Sequence, residues 1–301
     1  GYNAVARLAG ADCGRFIATA EFLRSKGLSA PDVHAADIPR GFVLIEDLGD
    51  DLFANVLADG NGREQTLYAA AIDALATLHA APAPANLASG KALYAYDETA
   101  LLAETDLMTE WFVPLALGRA AFEDERQEHR ALWRDVLRQV LASPPVFVHR
   151  DYHAQNLFWL PEREGAARVG MIDFQDAVAG APSYDLISLI EDARRDVRPE
   201  LAEAMMQRYI GARRASDDAV DEEAYRAEGA VMAAQRNAKI AGIFARLYQR
   251  DGKPRYLSYL PRVWGYLEHD LRHPALAPLK LWYDRKIPLE ARHRVIVGEA
   301  A

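Results

Sequence analysis

Two short segments in the middle of the chain carry the residue types that phosphoryl transfer needs. Residues 149–156 read His-Arg-Asp-Tyr-His-Ala-Gln-Asn and directly follow the apolar run Val146–Val148, which is typical of a short strand. Asp173 directly follows a second, mainly apolar run at 168–172. Phosphoryl transfer requires a carboxylate that orients and deprotonates the attacking hydroxyl, and oxygen ligands that hold a divalent cation on the phosphates. The two segments supply both kinds of group.

Each of the polar side chains in these segments has a predicted role. Asp151, on the loop that leaves the first strand, would be the general base or positioning group for the acceptor hydroxyl. Asn156 and Asp173 would offer oxygen ligands to Mg²⁺ on the β- and γ-phosphates of ATP. His149 is predicted to brace the loop through hydrogen bonds. The competing interpretation is that these Asp and Asn residues merely cap turns, which both types favour.

Hydrophobic periodicity predicts the elements that position these segments. Strands are predicted at 41–45, 146–148, 157–160 and 168–172, the last two joined as a hairpin around 161–165. The strand at 41–45 is predicted to be buried because it is apolar and partly β-branched. Helices are predicted at 14–26, 62–80, 98–118 and 122–141, and from 182 to about 270 with breaks near Gly211 and at 251–254. The pattern indicates an α+β architecture with few strands and a helical bulk.

Composition excludes several other classes of protein. The 301 residues carry a formal charge of -9, which disfavours binding to nucleic acid or anionic lipid. The single cysteine, Cys13, cannot form an internal disulfide, and no Cys or His cluster has the spacing of a zinc site. No apolar stretch approaches the ~20 residues of a membrane span, and no leader-like segment opens the chain. These features predict a cytoplasmic protein without a nucleic-acid or membrane partner. We expect a monomer, but the sequence leaves the oligomeric state open.

The motif at 149–156, followed by Asp173, resembles the catalytic segment of the aminoglycoside phosphotransferase and choline kinase superfamily. Leu75–His79 is similar to that family's helix before the large lobe, and Tyr184–Leu186 to its acidic segment after the metal-binding aspartate. The resemblance implies a bilobal, protein-kinase-like α+β fold. It places a small N-lobe with the hinge at 1–49 and a large, mainly helical C-lobe at 50–301.

The same resemblance assigns supporting roles to further residues. Glu46, Asp47 and Leu48 would form the hinge, whose backbone holds adenine. Asp185 would brace the catalytic loop without reacting. Glu21 would be the helix residue that pairs with a strand lysine of the N-lobe, unless it is simply a solvated helix carboxylate.

Residues 172–186 and 191–196 resemble bacterial cell-wall amino-sugar kinases, which phosphorylate the anomeric hydroxyl of N-acetylmuramate and N-acetylglucosamine. This likeness implies a sugar as the small-molecule acceptor. The predicted acceptor-site residues are Asp176, Glu110, Trp111, Asp192 and Arg195. A muramate carboxylate would be bound by an arginine fork, for which Arg194 is the alternative to Arg195.

One departure from the family concerns its phosphate-binding loop. The family covers the phosphates with a Gly- or Ser-rich turn and a strand lysine, whereas here Gly10 runs straight into Ala11 and the first helix. Lys26 is the only lysine before the hinge. Either the lobe is degenerate, or the numbered chain omits a segment between Gly10 and Ala11. We prefer omission, which predicts Cα atoms of these two residues farther apart than the ~3.8 Å of a peptide link.

Two rival functions remain open at this point. An aminoglycoside resistance kinase would use the carboxylates clustered at 106–125 and 191–196 to bind a cationic antibiotic. A nucleotide-binding pseudokinase would explain the missing phosphate loop, but the presence of both Asp151 and Asp173 argues against it. The choice between ATP and GTP also stays open.

Overall fold

The first part of the chain builds one helix and one hairpin. The computed structural model describes residues 13–60, 62–215 and 220–296, so the predicted separation of Gly10 from Ala11 lies outside the described residues. Helix α1 (Cys13–Ser25) confirms the predicted first helix, and the chain turns away from it at Gly27, whose φ of 75° is left-handed. Strands β1 (Val33–Asp37) and β2 (Phe42–Ile45) then pair antiparallel.

The prediction that the strand at 41–45 is buried is wrong. Phe42 is 69% exposed and Leu44 is 62% exposed. Within the described part of the chain, β2 pairs with β1 alone, and this two-stranded sheet is not enclosed between other layers. The apolar run therefore predicted the strand correctly and its burial wrongly, because burial depends on elements outside the run.

Twelve α-helices and a π turn make up most of the described residues. After α1 they are α2 (Phe53–Ala58), α3 (Glu64–Leu78), α4 (Glu98–Leu107), the π turn Met108–Phe112, α5 (Val113–Leu117), α6 (Glu123–Leu141), α7 (Ser183–Ile190), α8 (Pro199–Ala215), α9 (Glu222–Gln249), α10 (Leu260–Asp270), α11 (Ala277–Lys286) and α12 (Leu289–Ile296). Short 3-10 helices occur at Ile38–Arg40, Ala88–Gly90, Gly165–Arg168, Pro254–Tyr259 and Pro274–Leu276. None of the helices described is both long and apolar enough to cross a membrane.

The structure refines two helix predictions. The helix predicted at 98–118 is present from Glu98 to Leu117, with the π turn inside it; this turn begins where the backbone of Leu107 lies against Gly242 of α9. The break predicted near Gly211 comes later, because α8 continues through Gly211 to Ala215 and α9 begins at Glu222. Buried Tyr209 and Ile210 anchor this helix, and their burial outweighs the ~1 kcal/mol by which glycine disfavours a helix.

Four short strands lie at the centre of the molecule. They are β3 (Val146–Val148), β4 (Leu157–Trp159), β5 (Val169–Met171) and β6 (Val178–Gly180). Strands β4 and β5 form the predicted hairpin, with Leu157 opposite Met171. Strand β6 was not predicted, and it pairs antiparallel with β3.

Two apolar clusters enclose these strands. One cluster joins α4, α6 and α9 to α12 around buried aromatic residues such as Trp133 and Trp264. The other joins α1, α2, α3, α7 and α8 around residues such as Phe53 and Tyr68. Strand β3 contributes to both clusters, since Val148 belongs to the first and Phe147 to the second. The loop that leaves β3 is therefore held by both halves of the core.

Candidate active site

The loop after β3 presents Asp151 to solvent on a fixed backbone. Its backbone N–H donates to Nδ1 of His149 at 3.3 Å, and its carbonyl accepts the N–H of His153 at 3.1 Å. The side-chain amide of Asn156 donates to the same carbonyl at 3.0 Å. Asp151 is exposed, and among the described residues nothing bonds to its carboxylate. The carboxylate is thus free to accept a proton from a bound hydroxyl.

Asp185 binds the backbone at the start of this loop. Its buried carboxylate accepts the backbone N–H of His149 at 2.6 Å and that of Arg150 at 2.9 Å. Burial raises the pKa of Asp185 to about 7, and the two backbone donors oppose that rise. His79 lies next to this carboxylate, with Nε2 4.0 Å from Oδ2.

Both histidines near Asp185 are neutral. Burial lowers the pKa of His79 to about 3 and that of His149 to about 4. His79 is fixed by a 2.7 Å hydrogen bond between Nδ1 and the hydroxyl of Tyr209. His149 packs edge-on against the ring of Phe174. Neither imidazole is placed to meet a substrate, since both are buried.

The hairpin β4–β5 brings Asn156 to Asp173. Asn156 precedes β4, and its carbonyl accepts the N–H of Ile172 at 3.1 Å. Its Nδ2 lies 3.4 Å from Oδ2 of Asp173, although 17 positions separate the two residues. Oδ1 of Asp173 accepts Nε2 of Gln175 at 2.7 Å.

Backbone strain is concentrated at this site. Among the described residues, Arg150 (φ 75°) and Asp173 (φ 62°) are the two non-glycine residues in the left-handed region. Such a conformation costs on the order of 1 to 3 kcal/mol and persists where the surroundings impose it, often at functional sites. Here one strained residue, Arg150, directly precedes Asp151. The other, Asp173, is itself paired with Asn156.

The chemistry of Asn156 and Asp173 fits a hard divalent cation. Both offer side-chain oxygen atoms, and their side chains converge. No group of three or more Asp, Glu, His or Cys side chains suited to a metal occurs in the described part of the chain. Two protein ligands are enough for magnesium, which usually takes its remaining ligands from phosphate oxygens and water.

The proposed hinge follows β2. Glu46 is held in place by an ion pair with Arg163, and its backbone N–H donates to the backbone carbonyl of Asp32 at 2.8 Å. The carboxylate of Asp47 accepts the N–H of Gly49 at 2.9 Å. Within the described residues, the backbone N–H groups of Asp47 and Leu48 have no hydrogen-bond partner. They are therefore available to a ligand.

Two of the predicted acceptor residues lie beside the catalytic loop. The carbonyl of Asp176 accepts Nη1 of Arg150 at 3.4 Å. Asp192 is buried, accepts the N–H of Arg194 at 2.8 Å, and raises the pKa of His153 against the larger lowering effect of burial. Asp176 thus contacts Arg150, and Asp192 acts on His153, and these two loop residues flank Asp151 in the sequence.

The other three predicted acceptor residues are not joined to the catalytic loop. Arg195 forms an ion pair with Glu64 of α3 at 2.6 Å. Glu110 and Trp111 lie on the π turn, where burial raises the pKa of Glu110. No hydrogen bond within the described residues connects either of them to residues 149–156.

A buried ionic cluster behind the loop was missed from sequence. Glu104 of α4 accepts Nη2 of Arg150 at 2.9 Å and Nζ of Lys239 at 3.0 Å. The hydroxyl of Tyr96 also donates to Glu104, and Nε2 of Gln235 does so at 3.1 Å. The sequence carried one signal: Glu104 lies on a helix face that is otherwise apolar, which is where a charge is expected to be paired.

A second missed residue is Arg15, which joins α1 to the loop after Asp173. Its Nε donates to the carbonyl of Gln175 and its Nη2 to that of Ala177, both at 2.9 Å. No sequence pattern marked it, because the partners are backbone atoms 160 and 162 positions away.

Comparison with known proteins identifies the family. The sequence profile of the phosphotransferase enzyme family matches residues 5–226. The chain belongs to this family. It is also 47% identical, over 298 residues, to the N-acetylmuramate/N-acetylglucosamine kinase of Caulobacter vibrioides, an alignment that covers 97% of this chain and 80% of that enzyme. A phosphotransferase with these relatives is a small-molecule kinase, as the motif at 149–156 predicted.

Solved structures of phosphotransferases share the fold. A choline/ethanolamine kinase family protein from Mesorhizobium loti has a TM-score of 0.58 at 14% identity, covering 94% of this chain and 83% of that chain. An aminoglycoside phosphotransferase with bound ADP has a TM-score of 0.52 at 16% identity, covering 85% of this chain and 82% of that chain. These likenesses confirm the bilobal, kinase-like α+β fold expected from the sequence.

Proposed function

We propose that this phosphotransferase moves the γ-phosphoryl group of ATP to the anomeric hydroxyl of an N-acetylated amino sugar, either N-acetylmuramate or N-acetylglucosamine. The convergence of Asp151, Asn156 and Asp173 on one loop and one hairpin is the observation that carries the reaction type. The 47% identity to the Caulobacter vibrioides kinase supports the acceptor class.

Asp151 is the proposed base. Its exposed carboxylate accepts the proton of the sugar hydroxyl as the hydroxyl oxygen bonds to the γ-phosphorus, and the bond from that phosphorus to the β-phosphate oxygen breaks. The products are a sugar phosphate and ADP, and the proton leaves Asp151 for solvent. The bonds from His153, Asn156 and His149 keep the loop fixed during this step.

Asn156 and Asp173 are the proposed ligands of Mg²⁺. Bound to them, the ion would neutralise negative charge on the phosphate oxygens. Asp173 contributes a full negative charge and Asn156 a neutral oxygen, so the pair leaves part of the cation's charge to act on the nucleotide. ADP bound to the aminoglycoside phosphotransferase neighbour supports a nucleotide as the co-substrate.

Supporting roles follow from the contacts of the loop. Asp185 and His149 are proposed to hold Asp151 in place, because both bond to its flanking backbone. The free N–H groups of Asp47 and Leu48 are proposed to bind adenine, with residues 1–49 forming the N-lobe and hinge and residues 50–301 the C-lobe. Asp176 and Asp192 are the proposed sugar contacts that lie closest to the loop.

Release of ADP by the purified protein with Mg-ATP tests the proposal. The acceptors are N-acetylglucosamine, N-acetylmuramate, kanamycin, choline and buffer alone. Turnover with the two acetylated sugars, and loss of that turnover in Asp151→Asn, is the expected result. Turnover with kanamycin alone would assign the protein to antibiotic phosphorylation. ATP binding without turnover on any acceptor would contradict the proposed sugar acceptors and favour a nucleotide-binding pseudokinase.

A further inference from the structure

Arg15 is a buried cation whose hydrogen bonds all go to backbone carbonyls and whose guanidinium lies over the ring of Tyr94, 4.7 Å from the ring centroid. It lies on α1 and is 6% exposed. Its Nε, Nη1 and Nη2 donate to Gln175 at 2.9 Å, Ala92 at 3.1 Å and Ala177 at 2.9 Å. No acidic side chain in the described part of the chain pairs with it. A buried guanidinium without a carboxylate partner is costly unless its donors are satisfied. Here the three carbonyls satisfy them, and the hydrogen bonds connect these carbonyls to α1.

Two of those carbonyls lie on the loop that begins at Asp173. The side chain of Gln175 donates to Oδ1 of Asp173 at 2.7 Å. Arg15 therefore bonds to the backbone of Gln175, and the side chain of Gln175 bonds to the carboxylate of Asp173. Between them, the ring of Phe174 stacks on Phe16 of α1 with ring centroids 4.9 Å apart. Helix α1 thus contacts the loop at Phe174, Gln175 and Ala177.

The loop needs such support because Asp173 has a strained backbone. Its φ of 62° is left-handed, and a residue in that region returns to ordinary φ values when its neighbours stop enforcing the conformation. A change in φ at Asp173 would turn its carboxylate away from Asn156. The third carbonyl, that of Ala92, belongs to a segment that pairs through Tyr94 and Tyr96 with Ala179. Arg15 is therefore also connected, through this segment, to Ala179 at the end of the loop that begins at Asp173.

We propose that Arg15 is a positioning residue that sets the carboxylate of Asp173 for its divalent cation. The proposal rests on the proposed function, because it takes Asp173 as a metal ligand. Helix α1 is followed by β1, β2 and the proposed hinge. The hydrogen bonds of Arg15 therefore connect the loop after Asp173 to the part of the chain proposed to bind the nucleotide. Arg15 acts through the loop 174–177 and does not itself bind the cation.

Binding of Mn²⁺ tests the proposal without depending on turnover. Electron paramagnetic resonance would be used to titrate Mn²⁺ into the full-length protein with saturating ADP. The variants are Arg15→Met, which removes the fork, Arg15→Lys, which keeps the charge and one donor group, and Asp173→Ala. Lys26→Met is the matched control, since it removes a positive charge from the exposed residue that directly follows α1. Thermal unfolding of each variant would be recorded in parallel.

The expected result is a loss of Mn²⁺ affinity of about tenfold in Arg15→Met, a smaller loss in Arg15→Lys and none in Lys26→Met. Arg15→Lys decides the question if Arg15→Met does not fold. Wild-type Mn²⁺ affinity in folded Arg15 variants, with a loss in Asp173→Ala, would overturn the positioning role and leave the proposed function standing. Wild-type affinity in Asp173→Ala would contradict the metal site itself, and with it the role of Arg15.

Discussion

The carboxylate of Asp185 accepts the backbone N–H of His149 at 2.6 Å, although 36 positions separate the two residues. The bond joins the buried helix α7 to the first residue of the loop 149–156. A second bond, to the N–H of Arg150, uses the other carboxylate oxygen. Because Arg150 has a left-handed φ, the pair of bonds fixes the turn that directs Asp151 outward.

Asp185→Asn should reduce turnover while leaving the acceptor KM nearly unchanged. An amide offers one acceptor oxygen, so its NH₂ group would face one of the two backbone N–H donors. The expected loss of stability is about 1 to 3 kcal/mol, the cost of leaving a buried donor unsatisfied. Urea unfolding and steady-state kinetics would measure both effects. The control is Asp196→Asn, whose side chain is exposed and pairs with Arg262 at the surface; equal behaviour of the two variants would contradict the bracing role.

Asp151→Asn and Asp173→Ala should each abolish turnover while the fold survives. For Asp151→Asn the loss of the base is expected to lower kcat by roughly 10² to 10⁴-fold. Asp173→Ala should also raise the Mg²⁺ concentration needed for any residual rate, because a ligand is lost. Circular dichroism would verify the fold of both. Near-normal kcat in either purified variant would rule out the proposed mechanism.

The core of the site could be predicted because its parts are local in sequence. Asp151 and Asn156 share one loop, and a single hairpin places Asp173 beside Asn156. Apolar runs of three to five residues with polar residues at their ends are visible in a sequence. Burial of the strand at 41–45 was predicted wrongly, because whether its apolar residues are covered depends on distant elements.

The remainder of the site depends on contacts that no local pattern records. Arg15 reaches a carbonyl 160 positions away, and Glu104 meets Lys239 from another helix. Strand β6 is only three residues long and includes Gly180, so it carries almost no strand signal by itself. A bracing role for Asp185 is implied by the family resemblance and not by the spacing of residues, and it stays a prediction.

Glu104→Gln should destabilise the protein strongly. The substitution leaves the guanidinium of Arg150 and the ammonium of Lys239 buried without their carboxylate. Removing one partner of a buried ion pair costs roughly 3 to 5 kcal/mol. Adding Lys239→Met to this variant should restore part of that loss, since one uncompensated charge is removed. Chemical denaturation of the two single variants and the double variant would measure the coupling; strictly additive losses would show that the two side chains do not interact.

Gly242→Ala should separate the π turn from α9. A Cβ atom at position 242 would lie 2.5 Å from the carbonyl carbon of Leu107, so the helices must move apart, at a cost of about 1 to 3 kcal/mol. The π turn carries Glu110 and Trp111, so the sugar KM should rise if those residues line the acceptor site. Gly265→Ala in α10 is the control, because no atom lies within 4 Å of its added methyl group. That variant should gain up to about 1 kcal/mol of stability, measured by thermal unfolding.

His129 should make the folded state sensitive to acid. Its Nε2 accepts the indole N–H of Trp133 at 2.9 Å, and burial lowers its pKa from 6.5 to about 3. The unfolded chain takes up a proton at this histidine as the pH falls below 6.5, whereas the folded protein does not until about pH 3. Stability contributed by neutral His129 is therefore present above pH 6.5 and lost as the pH falls toward 3.

The measurement compares the wild type with His129→Gln, which can still accept the bond from Trp133 but does not titrate. Urea unfolding at pH 7, 6 and 5 should show that the wild type loses about 2 kcal/mol more than the variant between pH 7 and pH 5. The comparison of slopes removes the contribution of other titrating groups, including the opposite one of Asp185, whose raised pKa favours the folded state at low pH. Curves that differ by a constant offset at all three pH values would mean that His129 is protonated equally in both states, and so that its burial does not hold it neutral.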